Sequence, residues 1–339
     1  MNQKRTKVIF SDSHTFEKDI FNNLNSKYQF DIDYLDVRLT AQSAHLIQNA
    51  DVVCSFVTDK LDEECLSVLK SKGVRLLVLR SAGFNHVDLK AAKKNEIIVT
   101  RVPSYSPNSV AEFAVGLVLN LNRKIHRSYI RTRELNFSLD GLIGFDLNGK
   151  TVGVIGAGKI GKIFSQIMQS FGCKVLIYDP NVDPELLTYP SVQYVELMEI
   201  ARKSDVISLH TPLNTKTFHL INTDFISQMK MGALVVNTGR GALIETTALI
   251  QGLKSGKIGG AALDVYEEEE EIFFHDLSNL TLNDDVLARL ITFPNVLITS
   301  HQAFLTKEAL TNIASTTLKN IDLFIRTGEV DPLDKVELS

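Results

Sequence analysis

Cysteine is scarce in this chain: three residues in 339, Cys54, Cys65 and Cys173. An odd number, widely spaced and without a C-x-x-C pair, argues against a disulfide frame or a zinc ligand set. They read as small core residues of a reducing compartment. Long apolar runs are missing too, and nothing is long enough to span a bilayer. Residues 1–7 lack the apolar stretch and small-residue cleavage site of a secretory signal. Basic charge is not in excess either. Lys and Arg total 36 against 40 Asp and Glu, the net charge is −4 and the pI is near 6.1. No basic stripe appears, so no nucleic-acid partner is expected. A cytoplasmic protein with neither metal nor membrane partner fits these absences.

What is present is an ordinary globular composition, 44% hydrophobic and 22% charged. The length exceeds the usual size of one core, so two domains are expected. Over the first hundred residues, apolar stretches at 7–10, 31–35, 51–57 and 74–79 alternate with segments of helical spacing such as 62–72. Near-continuous apolar strands separated by helices predict a parallel sheet covered on both faces, a doubly wound α/β domain. The loop at 80–88 follows a strand and contains Ala82 and Gly83. It is either a cradle of backbone N–H groups for an anion or a strand-to-helix turn capped by Asn85 or Asp88. Residues 101–108, with Pro103 and Pro107, read as a crossing between domains. The helix that follows is too apolar at 111–121 for a surface position and predicts burial in an interface. Residues 123–133 are basic and polar, a solvated helix face.

At 151–163 an apolar β-branched strand runs into Gly156, Gly158 and Gly161, spaced G-x-G-x-x-G. The first glycine permits a tight turn, the second lets backbone approach a pyrophosphate, and the third lets helix pack on strand. The helix N-terminus then faces the phosphates. The next strand ends at Asp179, eighteen residues beyond Gly161, where an acid belongs that binds ribose hydroxyls and repels a 2′-phosphate. NAD is therefore favoured over NADP. The alternative is an Asp that opens the turn before Pro180.

Later strands at 205–210, 233–237, 259–264 and 295–299 precede polar residues: Thr211, Thr238 to Arg240, Asp264 and His301. A long helix is expected over 305–325. Carboxyl ends of successive parallel strands converge on one crevice. There Arg240, flanked by Gly239 and Gly241, either grips a ligand carboxylate bidentately or pairs with a carboxylate of the chain. His301 is a proton donor if it has an acidic partner to stabilise the imidazolium. The acidic run at 267–271 offers one, without indicating which glutamate. Hydride transfer to a carbonyl needs a nicotinamide, a substrate anchor and a proton donor, and these residues supply all three.

The assembled motifs resemble the D-specific 2-hydroxyacid dehydrogenase family, most nearly its bacterial fermentative D-lactate branch. They are Val102-Pro103-Ser104-Tyr105-Ser106-Pro107, Asn237-Thr238-Gly239-Arg240-Gly241-Ala242-Leu243, Asp264-Val265-Tyr266-Glu267, Phe273-Phe274 and His301-Gln302-Ala303-Phe304-Leu305-Thr306. The resemblance implies Arg240 as carboxylate anchor, His301 as acid/base and Glu269, five residues after Asp264, as its partner. It implies a cofactor lined by Gly156, Gly158, Lys159, Ile160, Gly161, Asp179, Thr211, Pro212, Thr217, Thr238, Gly239, Arg240 and Asp264, the last at the nicotinamide end. Ala82 and Gly83 would hold the substrate carboxylate, and Tyr105 and Phe304 would wall the side-chain pocket. Two departures are noted: Glu268 and Glu270 crowd Glu269 with like charge, and Phe304 stands where some relatives have Tyr.

The architecture implied is a flavodoxin-like, discontinuous substrate domain at 1–103 and 301–339, and a Rossmann NAD-binding domain at 104–300. The substrate would sit in the cleft, with hinge closure excluding water. The expected activity is NADH-dependent reduction of pyruvate to D-lactate by a homodimer or homotetramer. The alternatives are a bulkier 2-oxo acid as substrate, or an NAD(H)-sensing interaction protein of corepressor type.

Overall fold

The computed structural model describes residues 5–337, with the Glu271 side chain left aside; residues 1–4, part of the N-terminal stretch read above, lie outside it. The chain divides into two compact units. One runs up to Ser106 and resumes at Leu305, and the other is Pro107–Phe304.

The first unit is a five-stranded parallel sheet of β1 (Lys7–Phe10), β2 (Asp31–Tyr34), β3 (Val52–Ser55), β4 (Leu76–Leu79) and β5 (Ile98–Thr100), in the order β2-β1-β3-β4-β5. This is the flavodoxin-like order. β3 and β4 are buried at every position, which requires apolar residues on both faces. The C-terminal helix Lys307–Thr327 packs on the helix Thr15–Asn25 and on β4. Its first turn is capped by the Thr306 hydroxyl, which accepts from Ala309 N–H.

The second unit holds seven parallel strands: β6 (Thr151–Ile155), β7 (Lys174–Tyr178), β8 (Val192–Tyr194), β9 (Val206–Leu209), β10 (Ala233–Asn237), β11 (Ile258–Leu263) and β12 (Val296–Ile298). Their order is β12-β11-β10-β9-β6-β7-β8, the Rossmann arrangement extended by one strand. The order reverses between β6 and β9, so a crevice opens at their carboxyl ends. Both faces are covered by apolar clusters.

The helix Pro107–Arg123 belongs to one of those faces. Ala111, Ala114, Val115, Leu117, Val118 and Leu121 pack with Val152, Val154, Leu234 and Val236. Its apolar surface is thus part of this unit's own core, where an interface was expected. Pro107 occupies the first helical position, where a missing N–H costs nothing. The helix Ile125–Arg133 has no buried residue, as its polar sequence requires.

The unit bounds fall a few residues beyond the crossings expected at 103 and 300. At the second crossing the reason is visible: the Ala303 and Gln302 amides are bound to the carboxylate of Asp264. That keeps His301 with the seven-stranded unit. Among the described residues, no helix is long and apolar enough to cross a membrane.

Candidate active site

Side by side at the carboxyl edge of the seven-stranded sheet stand the ends of β12, β11, β10, β9, β6 and β7. They carry, in that order, His301, the 264–269 loop, Arg240, Thr211, the glycine loop and Asp179. With neighbouring strands ~4.8 Å apart, this row runs on the order of 24 Å.

At one end, His301 Nδ1–H donates to Glu269 Oε1 at 2.7 Å, and Tyr266 N–H donates to Glu269 Oε2 at 2.8 Å. A carboxylate only accepts, so Nδ1 carries a proton and Nε2 is the nitrogen left to face a reactant. The two side chains are about one-fifth exposed. His301 has a left-handed backbone, φ +52°, and its N–H donates to the Asp264 carbonyl at 2.7 Å. Asp264, expected at the nicotinamide end, is fully enclosed in the chain. Its carboxylate accepts from Thr299 Oγ1 (2.6 Å), Gln302 N–H (2.9 Å) and Ala303 N–H (2.9 Å). Burial raises its pKa against those hydrogen bonds. Its work is to brace the loop that presents His301. Glu268 and Glu270, feared as like-charge neighbours of Glu269, are solvent-exposed, where their fields are strongly screened.

Arg240 follows β10. Buried Asn237 shapes its loop, donating from Nδ2 to the Arg240 carbonyl at 2.8 Å and accepting from Gly239 N–H at 3.0 Å. The guanidinium donates to the Gly239 carbonyl at 2.7 Å. Among the described residues no carboxylate pairs with it, so its charge is uncommitted. Gly241 is dictated by space: a Cβ there would lie 2.1 Å from the Tyr266 carbonyl carbon and oxygen. The Arg240 loop and the Glu269 loop are therefore in direct contact.

Toward the other end, Gly156 turns with φ +97°, and a Cβ on it would meet His210 at 2.7 Å. A Cβ on Gly161 would fall 1.9 Å from the Gly156 carbonyl oxygen, while one on Gly158 would meet nothing within 4 Å. The loop thus hugs β9 on one side and leaves open space over the amino end of the helix Lys159–Ser170. That helix has no side-chain cap, and its leading N–H groups are offered outward. Asp179 accepts from Ala157 N–H and Asn181 N–H, each at 2.7 Å. The reading of this residue as the Asp that opens the turn before Pro180 is what these bonds show, and the carboxylate keeps lone pairs for further donors. Thr217 Oγ1 donates to the Pro212 carbonyl at 2.6 Å. Thr238 Oγ1 is buried with no hydrogen-bond partner among the described residues. Desolvation pushes His210 down to about 3, so its ring stays neutral beside the glycine loop.

Comparison with known proteins identifies the lineage of this arrangement. The sequence profile of the family described as D-isomer specific 2-hydroxyacid dehydrogenase, NAD binding domain, matches residues 115–303. The D-lactate dehydrogenase of Escherichia coli (strain K12) is 46% identical over 97% of this chain and 100% of its own length. The apo-structure of D-lactate dehydrogenase from Escherichia coli superposes with a TM-score of 0.89 at 44% identity, covering 98% of this chain and 100% of that one. The chain belongs to the D-isomer specific 2-hydroxyacid dehydrogenase family. It is an NAD-dependent oxidoreductase. A third relative, the D-lactate dehydrogenase of Aquifex aeolicus complexed with NAD and lactic acid, has a TM-score of 0.83 at 34% identity over 94% of this chain and 95% of that one.

The residues of this dehydrogenase fit the dinucleotide. Open space over Gly158, an uncapped helix end, the unpartnered Thr238 hydroxyl and an acid at the end of β7 are what pyrophosphate and ribose require. Of the remaining expected residues, Phe304 is half-buried three positions after His301, whereas Ala82, Gly83 and Tyr105 belong to the first unit. There, Ser81 Oγ donates to the Gly83 carbonyl (2.7 Å) and Arg101 Nη1 to the Ala82 carbonyl (3.0 Å). Asp88 caps the helix Leu89–Lys94, as one reading of that loop expected. Just before the loop, Arg80 is buried and grips Glu17 through two bonds of 2.9 and 3.0 Å.

One buried contact of the acidic run is not visible in the sequence. Glu267 is half-buried and bonded to His219 and Thr246. In the structure 267 and 269 are half-buried and alternate with the exposed 268 and 270, an alternation that a run of identical residues does not display.

Proposed function

We propose that the enzyme reduces pyruvate to D-lactate at the expense of NADH, with Arg240, Glu269 and His301 as its catalytic set. The observation that carries this reading is the His301–Glu269 hydrogen bond beside an Arg240 that has no carboxylate partner among the described residues, at the sheet edge that also bears the glycine loop. Bound NADH supplies the hydride. Arg240 grips the carboxylate of the 2-oxo acid in a two-pronged contact and orients its carbonyl. The protonated His301 donates from Nε2 to the carbonyl oxygen as it becomes an alcohol. Glu269 fixes the ring through Nδ1 and stabilises its charge before the transfer. In lactate oxidation the same nitrogen takes the hydroxyl proton. The cofactor is lined by Gly156, Gly158, Lys159, Ile160, Gly161, Asp179, Thr211, Pro212, Thr217, Thr238, Gly239 and Arg240. Phe304 limits the size of the group next to the carbonyl.

The decisive experiment is NADH oxidation with pyruvate, 2-oxoisocaproate and phenylpyruvate, with the chirality of the product determined. The reading requires the highest kcat/KM on pyruvate and a D product; a preference for either bulkier acid replaces pyruvate as substrate. One methylene in an apolar pocket is worth only about 1–3 kcal/mol, so the whole series must be compared. No turnover with any of them would favour an NAD(H)-sensing role. The enzyme is also proposed to be a homo-oligomer, supported by Ile125, Tyr129, Ile130, Leu135, Phe137, Leu139 and Ile143, all more than half exposed within one segment. Buried free cysteines fit a cytoplasmic setting.

A further inference from the structure

The proposed chemistry depends on a constant separation between the loop that carries Arg240 and the loop that carries Glu269. A third segment, so far without a role, touches both. The backbone N–H of His219 donates to the Ala242 carbonyl at 2.9 Å, two residues beyond Arg240. The side chain of the same residue donates from Nε2 to Glu267 Oε1 at 2.5 Å, two residues before Glu269. Glu267 Oε2 accepts a second bond, from Thr246 Oγ1 at 2.7 Å, so both carboxylate oxygens are held.

The His219 ring has little freedom. Its backbone is left-handed at φ +50°, and its ring stacks on Phe218 with centroids 3.9 Å apart. Burial alone would lift the Glu267 pKa. The bonds from His219 and Thr246 outweigh it and hold the carboxyl below its usual value, so the acceptor is charged when the enzyme works. From Glu267 the connection to the reaction is one peptide long: the Tyr266–Glu267 peptide rests on Gly241, and Tyr266 N–H fixes the Glu269 oxygen not bound to His301.

We infer that His219 is a positioning residue for the reaction, a clamp that locks the substrate-anchor loop to the acid loop by gripping Ala242 with its backbone and Glu267 with its ring. The inference rests on the catalytic reading of Arg240, Glu269 and His301 above. A shift of either loop misplaces the carboxylate anchor against the proton donor, and that loss falls chiefly on the substrate, because the glycine loop and Asp179, proposed to hold most of the dinucleotide, stay in place.

The test is steady-state kinetics of the full-length enzyme with pyruvate and NADH, together with NADH binding by fluorescence and a thermal melt of each variant. His219→Leu keeps the backbone bond and removes the ring donor. Its kcat should fall about tenfold and its KM for pyruvate rise several-fold, with the NADH Kd within about twofold of wild type. His219→Gln restores a side-chain N–H and should recover most of the loss. Glu267→Gln should match His219→Leu, and the double variant should be no worse than either single one. Thr246→Val, which removes only the second donor to Glu267, should move kcat and KM the same way by less, and it serves if His219→Leu does not fold. Wild-type kcat and KM in His219→Leu would overturn the clamp. So would equal impairment of the Leu and Gln variants, or losses that multiply in the double variant. Failure of the parent reading looks different: wild-type enzyme itself would then reduce no 2-oxo acid.

Discussion

Each of the three residues proposed as catalytic has one job that a single substitution isolates. His301→Gln removes the proton donor while leaving an amide of similar reach, and kcat for pyruvate reduction should fall by about 10²–10⁴. Arg240→Gln removes the fork that grips the carboxylate, so KM for pyruvate should rise steeply while NADH binding is retained. Near-wild-type turnover in both variants would dismiss the mechanism. Glu269→Gln leaves the 2.7 Å contact to His301 geometrically possible but without its charge. The charge that the proposed mechanism sets against the ring is then missing, so kcat for pyruvate reduction should fall by about tenfold or more with NADH binding retained; wild-type turnover would remove Glu269 from the set. Arg240 and His301 could be singled out because each follows a recognisable strand and stands in a long motif; Glu269 was picked from its run only by the family resemblance. Glu267 and His219 were not legible, being 48 positions apart and joined only by folding.

Elements make a different set of demands. The helix after the glycine loop must touch β6, and Gly161→Ala would drive a methyl to within 1.9 Å of the Gly156 carbonyl oxygen. NADH affinity should drop at least tenfold, measured by fluorescence titration, because the loop must move away from its own turn. At the opposite edge of the sheet, Asp205 ties β6 to β9. It accepts from Thr151 N–H at 2.8 Å and from Lys230 Nζ at 2.9 Å. Burial opposes ionisation there, but the two hydrogen bonds prevail and its pKa lies below the usual carboxylate value. A depressed carboxylate pKa means stability present above the unfolded value of about 3.9 and lost as the pH falls through the folded one. Asp205→Asn should therefore cost about 1–2 kcal/mol near neutrality, and the gap should close toward pH 3 in thermal melts. Most strands could be read from sequence because burial on both faces leaves long apolar runs. β5 and β8, each of three residues at the border of its sheet, were not among those read.

At the scale of the whole molecule, the segment from Ile125 to Ile143 exposes a series of large apolar side chains set among polar ones, with Leu135 and Leu139 each 79% exposed and Ile143 86%. Replacing Leu135 and Phe137 with Asp should shift the sedimentation coefficient toward the monomer; a wild-type value would remove this segment from the subunit interface. Two doubly wound units were readable from the βα rhythm, and the point at which the chain returns to the first was not. The His301 loop continues past its strand because Asp264, 38 and 39 residues upstream, holds Gln302 and Ala303, a tie that no local pattern announces. The row of strand ends has one further consequence. Everything proposed to choose the substrate from the second unit lies on β10 to β12, and the acid proposed to choose the cofactor lies on β7, with the switch between β6 and β9 separating them. Inheritance can act on those halves independently. A chimera that exchanges the segment from β7 to β8 with that of an NADP-using relative should change the coenzyme and keep the 2-oxo acid, so new members of such a lineage can arise by splicing rather than by redesign.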